Sequence, residues 1–201
     1  DGRRPALYVG GVFDQAGGAP AHGLARWDGS TWSSLQAAKV GAVFTMIPHD
    51  DGAGPSLFVG GTLSLFPSDD HIARWNGESW SPVGSGVTCC VEALAVFDDG
   101  SGDALVAGGT FNEAGGKPAA RLAKWNGSIW STIGGGVDGG VSALEVFDDG
   151  EGPALFVGGA TIKFFGLNDV WYIAKWDGLK WSPLGTGTNE RIRAMKVFDD
   201  G

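Results

Sequence analysis

One phrase occurs four times in the chain and constrains its fold more than any other feature. It places two tryptophans around an Asp-Gly or Asn-Gly dipeptide, as in ARWDGSTW, and it uses eight of the nine tryptophans. A second phrase, Asp-Gly followed by an apolar run and Gly-Gly, returns about every 50 residues, the signature of a repeat architecture. We therefore predict one repeat region, residues 1–201, made of units 1–50, 51–98, 99–148 and 149–201.

Each unit contains four short apolar runs separated by turn residues. Glycine accounts for 36 of the 201 residues, and glycine and proline interrupt the chain too often for ordinary helices. The runs are rich in residues that suit strands buried on both faces. The sequence predicts an all-β protein with four antiparallel strands per unit. In the most complete copy these strands are Val91–Phe97, Ala104–Gly108, Leu122–Trp125 and Trp130–Ile133.

The repeat is offset within the chain. On this alignment the sequence begins at the second strand of one sheet and ends with Ile192–Phe198, which we predict to be the first strand of another. Three arrangements of the sheets stay open. The four units close one ring by themselves, they are part of a larger ring, or several copies of the chain together complete a ring.

The combined pattern V-x-A-L-x-V-F-D-D-G, A-L-Y-V-G-G and A-R-W-D-G-x-x-W resembles the kelch repeat of the galactose-oxidase-like β-propellers. The resemblance covers the whole chain in four copies. It differs in one respect, because the kelch spacing between the aromatic residue and the tryptophan is longer and the first aromatic here is always tryptophan. The resemblance implies a β-propeller of four-stranded blades.

The tryptophan hairpins suit blade packing. With a two-residue turn Trp27 would lie opposite Ser30, and with a four-residue turn it would face Trp32, but either register puts both tryptophans on one face. We predict that the pairs form the core between blades; the alternative is a row of aromatic platforms for sugars. The predicted core tryptophans are Trp27, Trp32, Trp75, Trp80, Trp125, Trp130, Trp176 and Trp181.

The acidic turn at residues 97–103 superficially resembles a calcium loop. Glycines stand where calcium loops place further oxygen ligands, so we predict a strand 1–2 turn whose carboxylates offset a nearby arginine or lysine. Cys89 and Cys90 are adjacent, and we expect free thiols because a vicinal disulfide requires a strained ring.

No residues have the spacing of a catalytic or metal site. His22, His49 and His71 lack the usual metal-binding spacings, so no metal is expected. The copper chemistry of galactose oxidase does not carry over, since Tyr8 and Tyr172 lie in separate repeats without a cysteine partner in register. We expect no catalytic residues, no cofactor and no enzymatic activity.

The strand 2–3 loops differ between the units, whereas the strand 1–2 and 3–4 turns are nearly constant. The 2–3 and 4–1 loops emerge at the same end of an antiparallel sheet, so we predict that this loop face recognises a partner. Large apolar residues there are candidate contacts, unless they fold over the sheet edge. The candidates are Phe66, Phe164, Phe165, Trp171 and Tyr172.

Charge and composition narrow the choice of partner. The net charge of −9 disfavours nucleic acid, and no apolar run is long enough to insert into a membrane. We expect a secreted or cell-envelope scaffold that binds a protein or glycan on its loop face. Self-association to complete a ring stays open, and the alternative function is a lectin or carbohydrate-active enzyme domain.

Overall fold

The computed structural model describes residues 5–35, 41–66, 70–163 and 171–199, apart from the side chains of residues 161, 163 and 171. Within these ranges the protein is all-β, as the sequence predicts, and contains no helix that could cross a membrane. The strands are β1 (Leu7–Gly10), β2 (Gln15–Ala16), β3 (Ala19–Pro20), β4 (Leu24–Trp27), β5 (Trp32–Ser34), β6 (Gly41–Asp50), β7 (Pro55–Leu63), β8 (Ile72–Trp75), β9 (Trp80–Pro82), β10 (Val91–Asp98), β11 (Asp103–Gly109), β12 (Glu113–Ala114), β13 (Lys117–Pro118), β14 (Leu122–Trp125), β15 (Trp130–Thr132), β16 (Gly140–Asp148), β17 (Pro153–Lys163), β18 (Trp171–Trp176) and β19 (Trp181–Pro183).

These strands form four main antiparallel sheets. The first sheet has three strands in the order β1-β4-β5, and the second, third and fourth have four each, in the orders β6-β7-β8-β9, β10-β11-β14-β15 and β16-β17-β18-β19. The prediction of repeated four-stranded antiparallel sheets is confirmed for these three. Two short ribbons, β2-β3 and β12-β13, lie inside 2–3 loops and were not predicted.

Successive sheets stack face to face in chain order. Each of three clusters of buried side chains draws its members from two neighbouring sheets; Trp125 and Trp130 of the third sheet, for example, pack with Phe58 and Ile72 of the second. We call the side of a sheet that meets the preceding sheet its back face, and the other side its front face. The tryptophan pairs lie on back faces.

The tryptophans of each pair are directly opposite each other, which corresponds to the four-residue turn. Their ring centroids are 5.2 to 5.6 Å apart. The second tryptophan donates its indole N–H to a backbone carbonyl of the preceding sheet: Trp80 to Leu35 at 2.9 Å, Trp130 to Val83 at 2.9 Å. Trp181 likewise donates to Gly134 at 3.0 Å. The pairs therefore contribute both apolar area and directional hydrogen bonds between sheets.

The double glycines of the second strands also have a packing reason. A methyl group built on Gly60 would lie 2.6 Å from Val91, the first residue of the next sheet. Gly10, Gly108 and Gly158 meet Val43, Val141 and Ile192 in the same way. Glycine is required here because neighbouring sheets approach too closely for a side chain.

The predicted strand at Ile192–Phe198 is wrong. Residues 191–199 form no strand, although they lie along β16: the Ile192 N–H donates to the Gly159 carbonyl at 3.2 Å, and Lys196 pairs with Glu145 at 2.8 Å. A first strand elsewhere in the chain is held by a ladder to the strand that follows it. Residues 191–199 have no such ladder with any described strand, and β1 pairs with β4 rather than with this segment.

Candidate functional site

A β-bulge interrupts the first strand of the second, third and fourth sheets at the same repeat position. The ladder register shifts between Val43 and Thr45 in β6, and at the corresponding places in β10 and β16. The residues left without a ladder partner are Phe44, Glu92 and Ser142. Bulges re-aim a side chain and are common beside binding sites.

These bulge residues converge on one open cleft of about 370 Å³, which we call the bulge cleft. It is lined by Phe44, Glu92 and Ser142, together with Arg191 and Arg193 from the final segment. Three successive sheets thus supply one side chain each to a shared space.

The hydrogen bonds of the cleft hold the final segment in place. Arg191 pairs with Glu92 at 3.0 Å, which links this segment to the third sheet. The Ser142 hydroxyl donates to the Ile192 carbonyl at 2.6 Å, which links it to the fourth. Phe44 stays half-exposed, at 50%. The cleft therefore has an apolar wall beside a charged one.

Arg193 is an exposed cation of the cleft, and unlike Arg191 it makes no hydrogen bond or ion pair with any described residue. With one carboxylate and two guanidinium groups, the described lining is net positive in a chain whose net charge is −9. A guanidinium presents a planar set of donors that fits a carboxylate or phosphate. The cleft can therefore bind an anionic group beside an apolar one.

The cleft opens at the loop end of the stack. The bulges occur near the start of each first strand, where the 4–1 loop enters, and the residues on either side of each bulge pair with the double glycine of the second strand. The β12-β13 ribbon packs on the preceding 4–1 loop: the Gly115 N–H donates to the Gly86 carbonyl at 2.9 Å, and Ala114 forms a bridge with Val87. The loops around the cleft are thus braced against one another.

The candidate aromatic contacts are only partly described. Phe66 is half-buried against the cluster between the first two sheets. Tyr172 is also half-buried, at a positive φ of 68°. Phe164 and Phe165 lie outside the described residues, and for Trp171 only the backbone, paired with Lys163, is described. Phe66 and Tyr172 are therefore half-buried rather than fully exposed.

The positive φ of Tyr172 belongs to the repeat. His71 and Arg121 hold the same position before the third strand, with φ of 53° and 63°. Their carbonyls accept the N–H of the second glycine, from Gly61 and Gly109, each at 3.1 Å. This position fixes the backbone between strands.

The acidic turns have the structural role predicted for them. Asp98 accepts the backbone N–H groups of Gly100 and Gly102 at 2.8 Å each, so the first aspartate closes the turn. The second aspartate pairs with the basic residue of the third strand, as Lys124 does with Asp99. Burial raises the pKa of Asp99, but the hydrogen bonds from Lys124 and Ser101 outweigh it, and the net direction is downward.

The same ion pair recurs in the second and fourth sheets. Asp51 binds Arg74 at 2.8 Å and also accepts the indole N–H of Trp125 in the next sheet at 2.8 Å. Lys175 binds Asp149 at 2.6 Å, and this hydrogen bond raises the pKa of the lysine and lowers that of the aspartate. These carboxylates are engaged in the scaffold. The described residues contain no cluster of three or more metal-binding side chains.

The hairpin turns are capped by their first residue. The backbone N–H groups of Lys180 and Leu179 donate to Asp177, each at 2.8 Å, and lower its pKa. The pKa of Asp28 is lowered in the same way, by the N–H groups of Thr31 and Ser30 first.

Cys89 and Cys90 are free thiols whose Sγ atoms lie 3.5 Å apart, just before β10. The Thr110 hydroxyl donates to Cys89 at 3.5 Å and lowers its pKa. Burial raises the pKa of Cys90. Both side chains are half-buried.

A larger cleft, of about 430 Å³, lies between the first two sheets at the opposite end of the stack. Its lining is mostly proline and aromatic, and includes Pro5, Tyr8, Pro48 and Trp75, with no ionisable group other than the tyrosine. The bulge cleft is the better candidate because it combines charged, polar and apolar groups that differ from sheet to sheet.

No known protein family, curated protein or solved structure matches the chain significantly.

Sequence reasoning missed the bulge cleft, although a signal for it was present. The otherwise constant phrase at the start of each first strand has a variable second position, occupied by Phe44, Glu92, Ser142 and Arg193. A variable residue inside a constant strand indicates a side chain that the common packing does not use.

Proposed function

We propose that the chain is a non-catalytic β-propeller scaffold of kelch-like repeats that binds a protein partner at its loop face. The bulge cleft is the observation that carries this proposal. Residues from three sheets and the final segment converge there, at the end of the stack where the loops differ between units. The constant turns occupy the other end, where the carboxylates are already engaged.

The chemistry of the cleft favours an acidic group on the partner. Arg193 offers an exposed guanidinium, and Phe44 offers an apolar surface beside it. Glu92 is neutralised by Arg191 and therefore does not repel an incoming carboxylate. The proposed contact is an Asp or Glu side chain on Arg193 with a neighbouring apolar residue on Phe44. The loop aromatics would enlarge this contact.

A scaffold role also agrees with how the polar groups of the cleft are used. Its single described carboxylate is ion-paired, and its serine hydroxyl donates to a backbone carbonyl rather than to a base. Glycosidase chemistry needs two carboxylates across a substrate, and acyl transfer needs a nucleophile with an adjacent base. Against the lectin alternative, four of the eight paired tryptophans, Trp75, Trp125, Trp130 and Trp181, are each at most 8% exposed, and Trp27, Trp32, Trp80 and Trp176 are half-buried.

The test is a binding screen with matched peptides. Immobilised acidic peptides that contain an aromatic or aliphatic residue are compared with the same peptides carrying Asn and Gln, and a glycan array is run in parallel. We expect binding to the acidic set, weakened at least tenfold by Arg193→Glu, since the change turns an attraction into a like-charge repulsion.

Lys180→Glu is the matched control, because it reverses an exposed charge in a turn at the opposite end of the stack. It should leave binding unchanged. Equal losses with the two variants would show that net charge rather than the cleft drives binding. Binding to glycans but to no acidic peptide would support the lectin alternative instead.

A further inference from the structure

Among the described residues, the first and fourth sheets each have one face that no other sheet covers. On the first sheet it is the back face: Leu7 is 59% exposed, whereas Leu105 and Leu155, its equivalents in the third and fourth sheets, are fully buried. The hairpin turn shows the same difference. Gly29 has nothing within 4 Å of the position of a side chain, whereas Gly178 lies against the Asp99 backbone of the preceding sheet.

On the fourth sheet it is the front face. Phe147 is 42% exposed, while the equivalent Phe97 of the third sheet is 4% exposed beneath the fourth. Phe198, from the segment that lies along this face, is 84% exposed. The open face of the fourth sheet is therefore apolar.

The glycine after each fourth strand marks where the next tryptophan pair docks. A methyl group on Gly84 would lie 2.7 Å from Trp125, and one on Gly134 would lie 2.6 Å from Trp176. Gly185 holds the same position in the fourth sheet, with a similar φ of 57°, and has nothing within 4 Å. The site for a tryptophan pair is thus present and empty.

Both faces are open in the same chain, so its two end sheets do not cover each other. We propose that the front face of the fourth sheet binds the back face of the first sheet of a second copy. The Trp27–Trp32 pair of that copy would lie on Gly185. The indole N–H of Trp32 would reach the carbonyl of Leu184 or Gly185, the positions that accept from Trp130 and Trp181 inside the stack.

The three interfaces within the chain identify the occupant, because each joins a front face to a back face with the same contacts. The contact between copies is head to tail, so each copy has one donor face and one acceptor face. Two copies in a closed ring would satisfy both faces of both chains.

The test is the mass of the 201-residue chain by sedimentation equilibrium over a range of concentrations. We expect association into multiples of 20.7 kDa. Leu7→Glu and Phe147→Glu should each raise the dissociation constant about a hundredfold, because a carboxylate would be buried without a partner.

Mixing the two variants gives the sharpest result. The Leu7→Glu copy keeps its front face and the Phe147→Glu copy keeps its back face, so an equimolar mixture should form a dimer although neither does so alone. Leu179→Glu, at an 87% exposed position in a hairpin turn, is the control and should associate normally. If these variants fold poorly, Trp32→Phe is the alternative: it removes the indole N–H and part of the ring, and should weaken association about tenfold.

Three results would overturn the proposal. The first is a mass of 20.7 kDa at every concentration. The second is a mixture of the two variants that stays monomeric although both are folded by circular dichroism. The third is association that Leu7→Glu, Phe147→Glu and Trp32→Phe all leave unchanged, which would place the contact elsewhere.

Discussion

Replacing Trp130 by alanine should cost about 4 kcal/mol of unfolding free energy, whereas the same change at Trp32 should cost about half as much. Both residues stack on the first tryptophan of their hairpin, at 5.6 and 5.3 Å. They differ in what covers them. Trp130 is 5% exposed against the second sheet and donates to the Val83 carbonyl, whereas Trp32, on the open back face of the first sheet, is half-buried.

The magnitude follows from that burial. A tryptophan buries about 200 Å², which at about 25 cal/mol/Å² gives an upper estimate of about 5 kcal/mol. Alanine retains part of this contact, but the Val83 carbonyl loses its donor, which costs about 1 kcal/mol. Observed losses for tryptophan-to-alanine changes in cores, about 3–5 kcal/mol, bracket the result.

Urea unfolding followed by far-UV circular dichroism is the suitable assay, because it does not depend on the fluorescence of the residue removed. The slope of the free energy against urea must be unchanged for the comparison to hold. In a thermal scan the Trp130→Ala variant should melt about 8–16 °C below the parent protein. The comparison is made at concentrations where the chain is monomeric, because association would also bury Trp32. Under those conditions, equal losses at Trp130 and Trp32, or a loss below about 1 kcal/mol at Trp130, would refute the claim that packing between sheets stabilises the stack.

Two further substitutions probe the turns and the close approach of the sheets. Hydrogen bonds in the turn lower the pKa of Asp177. The ionised carboxylate therefore contributes its full stabilisation above the unfolded carboxyl pKa of about 4, and this stabilisation is lost as the pH falls through the lower pKa of the folded state. Asn76 caps the equivalent turn without titrating, so Asp177→Asn should melt normally at pH 7 but lose less stability in acid than the parent; identical acid profiles would contradict this. Gly108→Ala should cost about 1–3 kcal/mol by overpacking against Val141, and combining it with Val141→Ala should cost less than the sum of the single changes; additive losses in urea would show that the two residues do not meet.

The sequence predicted the strands well because turn residues bracket each one. In the third sheet the predicted Leu122–Trp125 is the observed strand, and the predicted Val91–Phe97 differs from it by one residue. The role of the acidic turns was also predicted, since the basic residue of each third strand recurs with them.

The bulges could not be predicted from hydrophobic pattern. Alternation reveals a register shift only when one face of a strand is polar, and the first strand of the third sheet is buried on both faces. In β10 the residues from Ala93 to Ala95 are all buried, so the inserted residue leaves no break in the pattern. The final segment was misassigned for a related reason: its sequence is that of a first strand, but strand formation also needs a hydrogen-bonding partner.

Neighbouring sheets pack through the same contacts throughout the chain, so the units can differ in sequence at positions that lie outside those contacts. The double glycines, the tryptophan pairs and the turn aspartates each meet a neighbouring sheet or strand in the same way, so a change at any of them would disturb that interface. In each bulged first strand, one residue takes part neither in the hydrogen-bond ladder nor in the packing between sheets. That residue can be Phe, Glu or Ser without altering the contacts on either side, as Phe44, Glu92 and Ser142 demonstrate. Because these freed positions converge on one cleft at the loop end, the repeat combines a fixed scaffold with a surface that can be specific for one partner.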